Sequence, residues 1–207
     1  MPTARESLLD AALSALAEQP WGAIRMVDVA AIAGVSRQTL YNEFGNKEGI
    51  ARALARREAD DFLDGLDHAL STAGSLGADA GDCFAAATAW MLHTARRNAL
   101  VRATLTGCRG DRVPAAAVIA VPAQRSLRAR KEDQPLTSAE VIAAIRSRAA
   151  VALAGGFPKL DPAEIAWTCE AAVRLALSYV VAPAADDEEA CLQVARLVRG
   201  LLAPRGW

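Results

Sequence analysis

One stretch near the start of this sequence decides the fold. It reads Val29-Ala30-Ala31-Ile32-Ala33-Gly34-Val35-Ser36-Arg37-Gln38-Thr39-Leu40-Tyr41-Asn42-Glu43-Phe44. The small side chain of Ala30 lets a second helix approach closely, Gly34 can take the positive φ of a tight turn, and Val35 fills the corner. Ser36 can cap the helix that follows. The stretch therefore predicts two short helices joined by a glycine turn, which is a helix-turn-helix.

The second helix of this motif has two different faces. Leu40 and Phe44 are four residues apart, so they lie on one side and are expected to point inward. The polar residues around the start of the helix are expected to project outward, and these are Arg37, Gln38, Thr39, Tyr41 and Asn42. In a helix-turn-helix that binds DNA, this part of the second helix enters the major groove.

The outward side chains suit contacts with DNA. Arg37 can donate a pair of hydrogen bonds to guanine, Gln38 can pair with adenine, and Thr39 can touch the thymine methyl group. Tyr41 and Lys47 suit phosphate, since Lys47 begins a long helix whose free backbone N–H groups also favour an anion. Each residue alone is more often a solvated surface group, so the prediction depends on the whole motif. The DNA-binding candidates are Ser36, Arg37, Gln38, Thr39, Tyr41, Asn42 and Lys47.

Helices also dominate the rest of the chain. Thr3 and Glu6 form a capping box that starts the first helix, and Asn46 can cap a long one. Asp161 followed by Pro162 is a strong start signal, and acidic residues 186–189 favour the beginning of a last helix. Further helices are predicted over 27–33, 37–44, 47–70, 82–97, 98–106, from Thr137 or Ser138 to 153, and from 162 to 181, with a loop over 71–81 and a weak pattern over 115–134.

Composition agrees with an all-α fold and excludes several classes of protein. Of the 207 residues, 53% are hydrophobic but only 5% are aromatic, which favours helices over sheets. The net charge of -1 excludes a polycation that binds nucleic acid indiscriminately. Four dispersed cysteines without a C-x-x-C motif and only two histidines predict neither a metal site nor a cofactor. No catalytic motif of a familiar enzyme class is present, so no catalytic residue is predicted.

The motif and its continuation Tyr41-Asn42-Glu43-Phe44-Gly45-Asn46-Lys47-Glu48-Gly49-Ile50 resemble the TetR family of transcriptional regulators. Specific similarity covers residues 8–54, and the order of helices extends it more loosely. One departure is Met26, where the family often has a threonine that caps the second helix. The stretch 115–134 is another, because it does not align with a helix of the family.

The resemblance implies an N-terminal three-helix DNA-binding domain, residues 1–46, and a larger helical domain, residues 47–207, for effector binding and dimerisation. A homodimer is also favoured because residues 1–57 carry a net charge of only +1 and one unit reads few base pairs. Residues expected outward on the last two helices are the interface candidates, against the alternative that they fill a monomer core: Trp167, Ala171, Arg174, Leu175, Ser178, Val194, Leu197 and Leu201.

The function implied is a repressor that binds a palindromic operator and is released by a small, largely apolar molecule. Bulky apolar side chains mixed with a few polar groups are the effector-binding candidates, although ordinary core is the competing interpretation for each. They are Phe62, Leu66, Trp90, His93, Thr104 and Leu105. A long apolar run and an N-terminal targeting pattern are both absent from the sequence, so we expect a cytoplasmic protein without membrane contact. A helical protein-interaction module and a helical enzyme remain as alternatives.

Overall fold

The structure is a computed structural model that describes residues 2–75, 77–108, 113–114 and 133–203. Every regular element in those ranges is a helix, which confirms the all-α prediction. We number the α-helices α1 (Ala4–Glu18), α2 (Met26–Ile32), α3 (Arg37–Phe44), α4 (Lys47–Ser75), α5 (Ala80–Arg97), α6 (Ala99–Thr106), α7 (Ser138–Gly156), α8 (Pro162–Val181) and α9 (Asp187–Leu202), with a short 3-10 turn at Trp21–Ala23.

Contacts divide the chain into two compact units. Unit 1 comprises Met1–Asp60 and Ala99–Ser138, and unit 2 comprises Asp61–Asn98 and Ala139–Trp207. The first half of α4 and all of α6 thus belong with the three N-terminal helices. The division into a DNA-binding domain, residues 1–46, and an effector and dimerisation domain, residues 47–207, concerns function and stays a prediction.

Helix starts follow the capping signals in the sequence. Thr3 Oγ1 accepts a hydrogen bond from the backbone N–H of Glu6 at 3.2 Å, and the Glu6 carboxylate accepts from the backbone N–H of Thr3 at 2.6 Å. Asp161 accepts from the backbone N–H of Ala163 at 2.6 Å, with Pro162 in the first turn of α8. These bonds satisfy backbone donors that a helix leaves unpaired at its start. The predicted beginnings of α1 and α8 are confirmed.

The predicted loop over residues 71–81 is wrong. α4 continues to Ser75 and α5 begins at Ala80, after Asp79 caps it by accepting from the backbone N–H of Asp82 at 2.9 Å. Alanine, serine and threonine do not by themselves break a helix, whereas Gly77 has a φ of 75° and turns the chain. Similarly, α7 extends to Gly156 rather than ending at 153. Of the stretch 115–134, all but the last two residues lie outside the described ranges.

Unit 1 has one hydrophobic core beneath the helix-turn-helix. Leu8, Val29 and Leu40 are fully buried in it, one each from α1, α2 and α3. Ile50 and Leu54 extend it along α4, and Leu100 of α6 joins it. At about 0.8 kcal/mol for each buried methylene group, these contacts fix the three short N-terminal helices on α4.

Unit 2 is held together by close packing of α5 on α9. A Cβ atom on Gly81 would lie 2.9 Å from the backbone oxygen of Ala195, so the glycine is needed for this approach. The guanidinium of Arg199 donates to Asp79 at 2.8 Å and to Asp82 at 2.5 Å. The hydrogen bond from Arg199 lowers the pKa of Asp79.

Candidate nucleic-acid interface and effector cavity

The turn between α2 and α3 has the geometry that the sequence predicts. Gly34 has a φ of 69°, and Ala30 is 1% exposed at the contact between the helices. The backbone N–H of Val35 donates to the Ala30 carbonyl at 3.0 Å, which closes the turn. Val35 itself is half-buried against the core of unit 1. Gly34 and Val35 therefore have the structural roles predicted for them.

Ser36 begins α3 as its cap. Its Oγ accepts from the backbone N–H of Thr39 at 3.0 Å and is 2.8 Å from Thr39 Oγ1. Thr39 is half-buried. The hydrogen bonds therefore fix both hydroxyl groups at the start of the helix. The bond between the two hydroxyls can be replaced by a hydrogen bond from either of them to a bound partner.

The remaining candidate side chains of α3 face solvent. Arg37, Gln38 and Asn42 are exposed, and Tyr41 is 41% exposed. Gln38 Nε2 donates to Asn42 Oδ1 at 2.9 Å, one turn along the helix. This hydrogen bond orients the Gln38 amide before any partner arrives.

The opposite face of α3 is buried as expected. Leu40 is 0% exposed and Phe44 is 8% exposed, and both belong to the core of unit 1. Burial of these two anchors fixes which way the polar face of the helix points. The arrangement presents donors and acceptors in a form that can reach base edges in a major groove.

α2 begins without a side-chain cap, but the sequence interpretation assigned the cap to the wrong residue, since Met26 is the first residue of the helix. Arg25 occupies the cap position and makes no capping hydrogen bond to the helix. Its guanidinium instead pairs with Asp28, with Nε donating at 2.8 Å. The pair is exposed, so its contribution to stability is small.

Lys47 has a structural role that the sequence did not reveal. Its Nζ donates to the backbone carbonyls of Ile24 at 2.6 Å and Gly22 at 3.3 Å, and it lies 5.4 Å from the centroid of the Trp21 ring. These contacts tie the start of α4 to the chain between α1 and α2. An ammonium has three donors, and these bonds account for two of them.

A close backbone approach shapes the corner between α3 and α4. Gly45 has a φ of 76°, and Asn46 Oδ1 accepts from the backbone N–H of Gly49 at 2.7 Å. A Cβ atom on Gly49 would lie 1.8 Å from the carbonyl oxygen of Phe44. Glycine is therefore required at position 49. Neither the composition nor the periodicity of the sequence indicates this role, or the backbone contacts of Lys47.

The six effector-binding candidates are divided between the two units. Thr104 and Leu105 are buried in unit 1, while the other four candidates belong to unit 2. His93 is exposed, and Trp90 lies against the backbone of α4. Of the six, Leu66 alone lines the unit 2 cavity, and the grouping of the six into one effector site stays a prediction.

Unit 2 contains a small apolar cavity between α4, α5, α7 and α8. Its volume is about 20 Å³, close to what one water molecule needs. Its lining consists of Leu66, Leu70, Phe84, Ala87, Thr88, Met91, Ile145, Ala149, Ala172, Val173 and Ala176. The hydroxyl of Thr88, its one hydrogen-bonding side chain, donates to the Phe84 carbonyl at 2.7 Å. The cavity therefore leaves no side-chain donor free for a guest.

Two side chains, each next in sequence to a residue of the cavity lining, donate hydrogen bonds to backbone carbonyls in the middle of α4. The indole N–H of Trp90 on α5 donates to the Phe62 carbonyl at 2.9 Å. Arg148 on α7 donates to the neighbouring Leu63 carbonyl, also at 2.9 Å, and pairs with Asp67. α4 is thus held from two sides where Leu66 enters the cavity wall.

The dimer candidates are mixed in exposure. Trp167 is 62% exposed, Arg174 and Ser178 are exposed, and four more are half-buried: Ala171, Leu175, Leu197 and Leu201. Val194 is 0% exposed because it packs inside its own chain, so its inclusion was wrong. Val181, 67% exposed, and Leu192, 46% exposed, are further exposed apolar side chains of α8 and α9.

No described helix is both long enough and apolar enough to cross a membrane. Within the same residues, no cluster of three or more histidine, cysteine or acidic side chains is arranged to hold a metal ion.

Comparisons with known proteins identify the family. The model described as bacterial regulatory proteins, tetR family, matches residues 8–54, and that of the bacterial tetracyclin repressor C-terminal domain matches 135–199. The HTH-type transcriptional regulator AlkX of Mycobacterium tuberculosis is 33% identical over 197 residues, which are 94% of this chain and 82% of that protein. The HTH-type transcriptional repressor LfrR of Mycolicibacterium smegmatis is 36% identical over 74 residues, 36% of this chain and 38% of that protein.

A solved structure shows the same fold. The TetR family repressor AlkX from Dietzia sp., implicated in biodegradation of n-alkanes, has a TM-score of 0.57 over 94% of each chain at 21% identity. The first family match covers the same residues, 8–54, as the resemblance seen in the sequence. The chain belongs to the TetR family and is a ligand-responsive, DNA-binding transcriptional regulator.

Proposed function

We propose that the protein represses transcription as a homodimer that binds a two-fold symmetric operator and that an apolar small molecule releases it. One observation carries the DNA-binding part. Arg37, Gln38 and Tyr41 of α3 are exposed while Leu40 and Phe44 of the same helix are buried. Any amphipathic helix has a polar face opposite a buried one, but α3 also follows the glycine turn of a helix-turn-helix, in which the start of the second helix enters the major groove.

The proposed roles of the α3 side chains follow their chemistry. Arg37, Gln38 and Thr39 read base edges, and Tyr41 contacts phosphate. Ser36 and Asn42 orient their neighbours through the hydrogen bonds to Thr39 and Gln38, and contact the sugar-phosphate chain. Lys47 keeps one donor for a phosphate beside the two it gives to backbone carbonyls. Residues 1–46 act as the DNA-binding domain, and residues 47–207 carry the effector and dimer functions.

A homodimer supplies the second reading head. Trp167 and Leu175 of α8 and Leu197 and Leu201 of α9 are proposed to pack against the same surface of a second copy, as in an isologous interface. The 62% exposure of Trp167 supports this, because large aromatic side chains are enriched at interfaces. A dimer that places two α3 helices about 34–36 Å apart would meet successive major grooves.

The effector is proposed to be an uncharged apolar chain that expands the unit 2 cavity. Burying a negative charge there would cost several kcal/mol, because the lining offers no free side-chain donor. The relative from Dietzia sp. is implicated in biodegradation of n-alkanes, which agrees with this class of molecule.

Release is proposed to act through α4. A guest that separates α5 and α7 from α4 would weaken the hydrogen bonds from Trp90 and Arg148 to α4, which begins at Lys47 and contributes residues to both units. The guest needs only about 1.4 kcal/mol of preference for the released state to lower operator affinity tenfold. The protein acts by binding rather than by catalysis, and in the cytoplasm.

The decisive experiment is selection of binding sites from random duplex DNA with the purified protein. We expect enrichment of a two-fold symmetric sequence whose half-sites are one helical turn, or a multiple of it, apart. Failure to enrich any sequence at low salt would remove the DNA-reading proposal and favour a protein-interaction module. A monomeric mass by light scattering at micromolar concentration would remove the dimer.

A further inference from the structure

Arg5, in the first turn of α1, lies against the end of α3. Its guanidinium carbon is 4.5 Å from the centroid of the Phe44 ring, and Nη1 is 3.7 Å from the Glu43 carboxylate. Glu43 and Phe44 are the last two residues of α3. The Arg5 side chain is only 20% exposed, so these contacts are partly shielded from solvent and salt.

The same guanidinium is held from its other side by a distant part of the chain. Nη2 of Arg5 donates to the carboxylate of Asp133, 128 residues along the sequence. The Asp133 side chain is 17% exposed, and both residues belong to unit 1. Charge-assisted hydrogen bonds of this kind are stronger than neutral ones, and partial burial increases their effect.

α3 is a short helix with a small buried face. It is eight residues long, and its buried side chains are Leu40 and Phe44. Arg5 contacts one of these two anchors and the residue beside it. Base-reading groups need to be held to within about 0.5 Å, so a small rotation of a two-turn helix about its anchors would misplace Arg37 and Gln38.

We propose that Arg5 is a positioning residue for DNA recognition, fixed by Asp133, which sets the angle of α3 without touching DNA. The inference rests on the proposed reading of DNA by α3. It makes operator affinity depend on an acidic residue far in sequence from the helix-turn-helix. Removal of that negative charge should weaken specific binding, although simple electrostatics predicts that losing an acid strengthens attraction to phosphate.

This opposition of signs gives a sharp test. Asp133→Asn is compared with Asp10→Asn, which removes the same charge from unit 1 at an exposed carboxylate that pairs with Arg57 at 2.7 Å. Binding is measured by fluorescence anisotropy on two duplexes, the sequence enriched by the wild-type protein and a shuffled sequence of equal composition. We expect Asp133→Asn to weaken binding to the enriched duplex about fivefold and to the shuffled duplex by less than about twofold. Asp10→Asn should weaken neither.

Arg5→Met separates positioning from direct contact. A positioning role predicts roughly tenfold weaker binding to the enriched duplex with the salt dependence of binding unchanged. A phosphate contact predicts equal weakening on both duplexes and a salt slope reduced by about one. The double variant with Asp133→Asn should be no worse than Arg5→Met alone, because the carboxylate acts through the guanidinium.

A purely structural role is distinguished by titrating the active fraction and by thermal unfolding. It would lower the unfolding temperature and the active fraction but leave the ratio of the two affinities as in the wild type. Three outcomes would each overturn the proposal. The first is this structural result, the second is equal behaviour of Asp133→Asn and Asp10→Asn, and the third is equal weakening on both duplexes with a lower salt slope for Arg5→Met. If the wild-type protein enriches no sequence, the proposed function fails first; if it does and Asp133→Asn matches its control, this inference alone fails.

Discussion

The indole N–H of Trp90 reaches the Phe62 carbonyl, 2.9 Å away, by passing directly over the bare backbone of Gly65. A Cβ atom on Gly65 would lie 2.1 Å from the Trp90 ring. Glycine in the middle of a helix otherwise costs about 1 kcal/mol relative to alanine. The close contact between these two residues is therefore what makes glycine favourable at this position.

Gly65→Ala should destabilise the protein by about 1–3 kcal/mol, because the indole must leave its seat and its hydrogen bond is lost. Gly74→Ala, in the same helix but with nothing within 4 Å of the added atom, should be neutral or stabilise by up to about 1 kcal/mol. Chemical denaturation followed by circular dichroism measures both. Equal effects of the two substitutions would show that the Trp90 side chain moves at little cost and that its contact with Gly65 does not contribute to stability.

Arg37→Ala should relax the preference for one base pair in each half-site, at a cost of about 1–3 kcal/mol, since Arg37 is exposed at the start of α3. The measurement is a repeat of the binding-site selection with the variant. An unchanged sequence preference would remove Arg37 from the base-reading groups.

Lys47→Ala should weaken binding to every duplex alike and lower the salt slope by about one, because its proposed contact is with phosphate. It should also destabilise the fold, since the backbone carbonyls of Gly22 and Ile24 lose their donor. Affinities on the enriched and shuffled duplexes, measured from low to moderate salt, test this. A full salt slope with reduced stability would assign Lys47 to the fold alone.

Stability should fall in acid partly through Asp79. Its pKa is held below the ordinary value of 3.8, first by the hydrogen bond from Arg199, so the folded state favours the ionised form. The resulting stabilisation is present above the unfolded pKa and is lost as the pH falls through the folded pKa. Asp79→Asn should therefore flatten the loss of unfolding free energy below about pH 4.

Occupancy of the cavity can be tested with dodecane and dodecanoate as probes. Dodecane should raise the unfolding temperature and release the enriched duplex, whereas dodecanoate should do neither, because its carboxylate would be buried without a partner. Ala149→Leu, which adds bulk to the cavity wall, should reduce the dodecane response, because the added side chain occupies the space that the guest would take. Equal responses to both probes would contradict an uncharged effector.

Sequence reasoning succeeded where the cause is local. The cap at Thr3, the Asp161-Pro162 start of α8 and the turn at Gly34 each depend on a few neighbouring residues with known preferences. The inward and outward faces of α3 followed from a period of 3.6 residues. These features sufficed to predict the fold class and the family.

It failed where the cause is a contact between distant residues. Periodicity marks an apolar stripe but not what covers it, so Val194 was assigned to a dimer surface although it is buried in its own chain. The cavity lining draws on four helices, and Ala149 or Ala172 has no feature that separates it from other alanines. The donor role of Lys47 depends on a turn more than 20 residues earlier in the chain.

A void of about 20 Å³ also has a kinetic consequence. No chain of several carbons fits so little space, so entry must wait until the surrounding helices part spontaneously. The observed rate of capture should then level off as the concentration of guest rises, at a ceiling set by the opening frequency of the protein rather than by diffusion. The protein then responds no faster than it opens. A rise in guest concentration that is shorter than the opening time would produce no response.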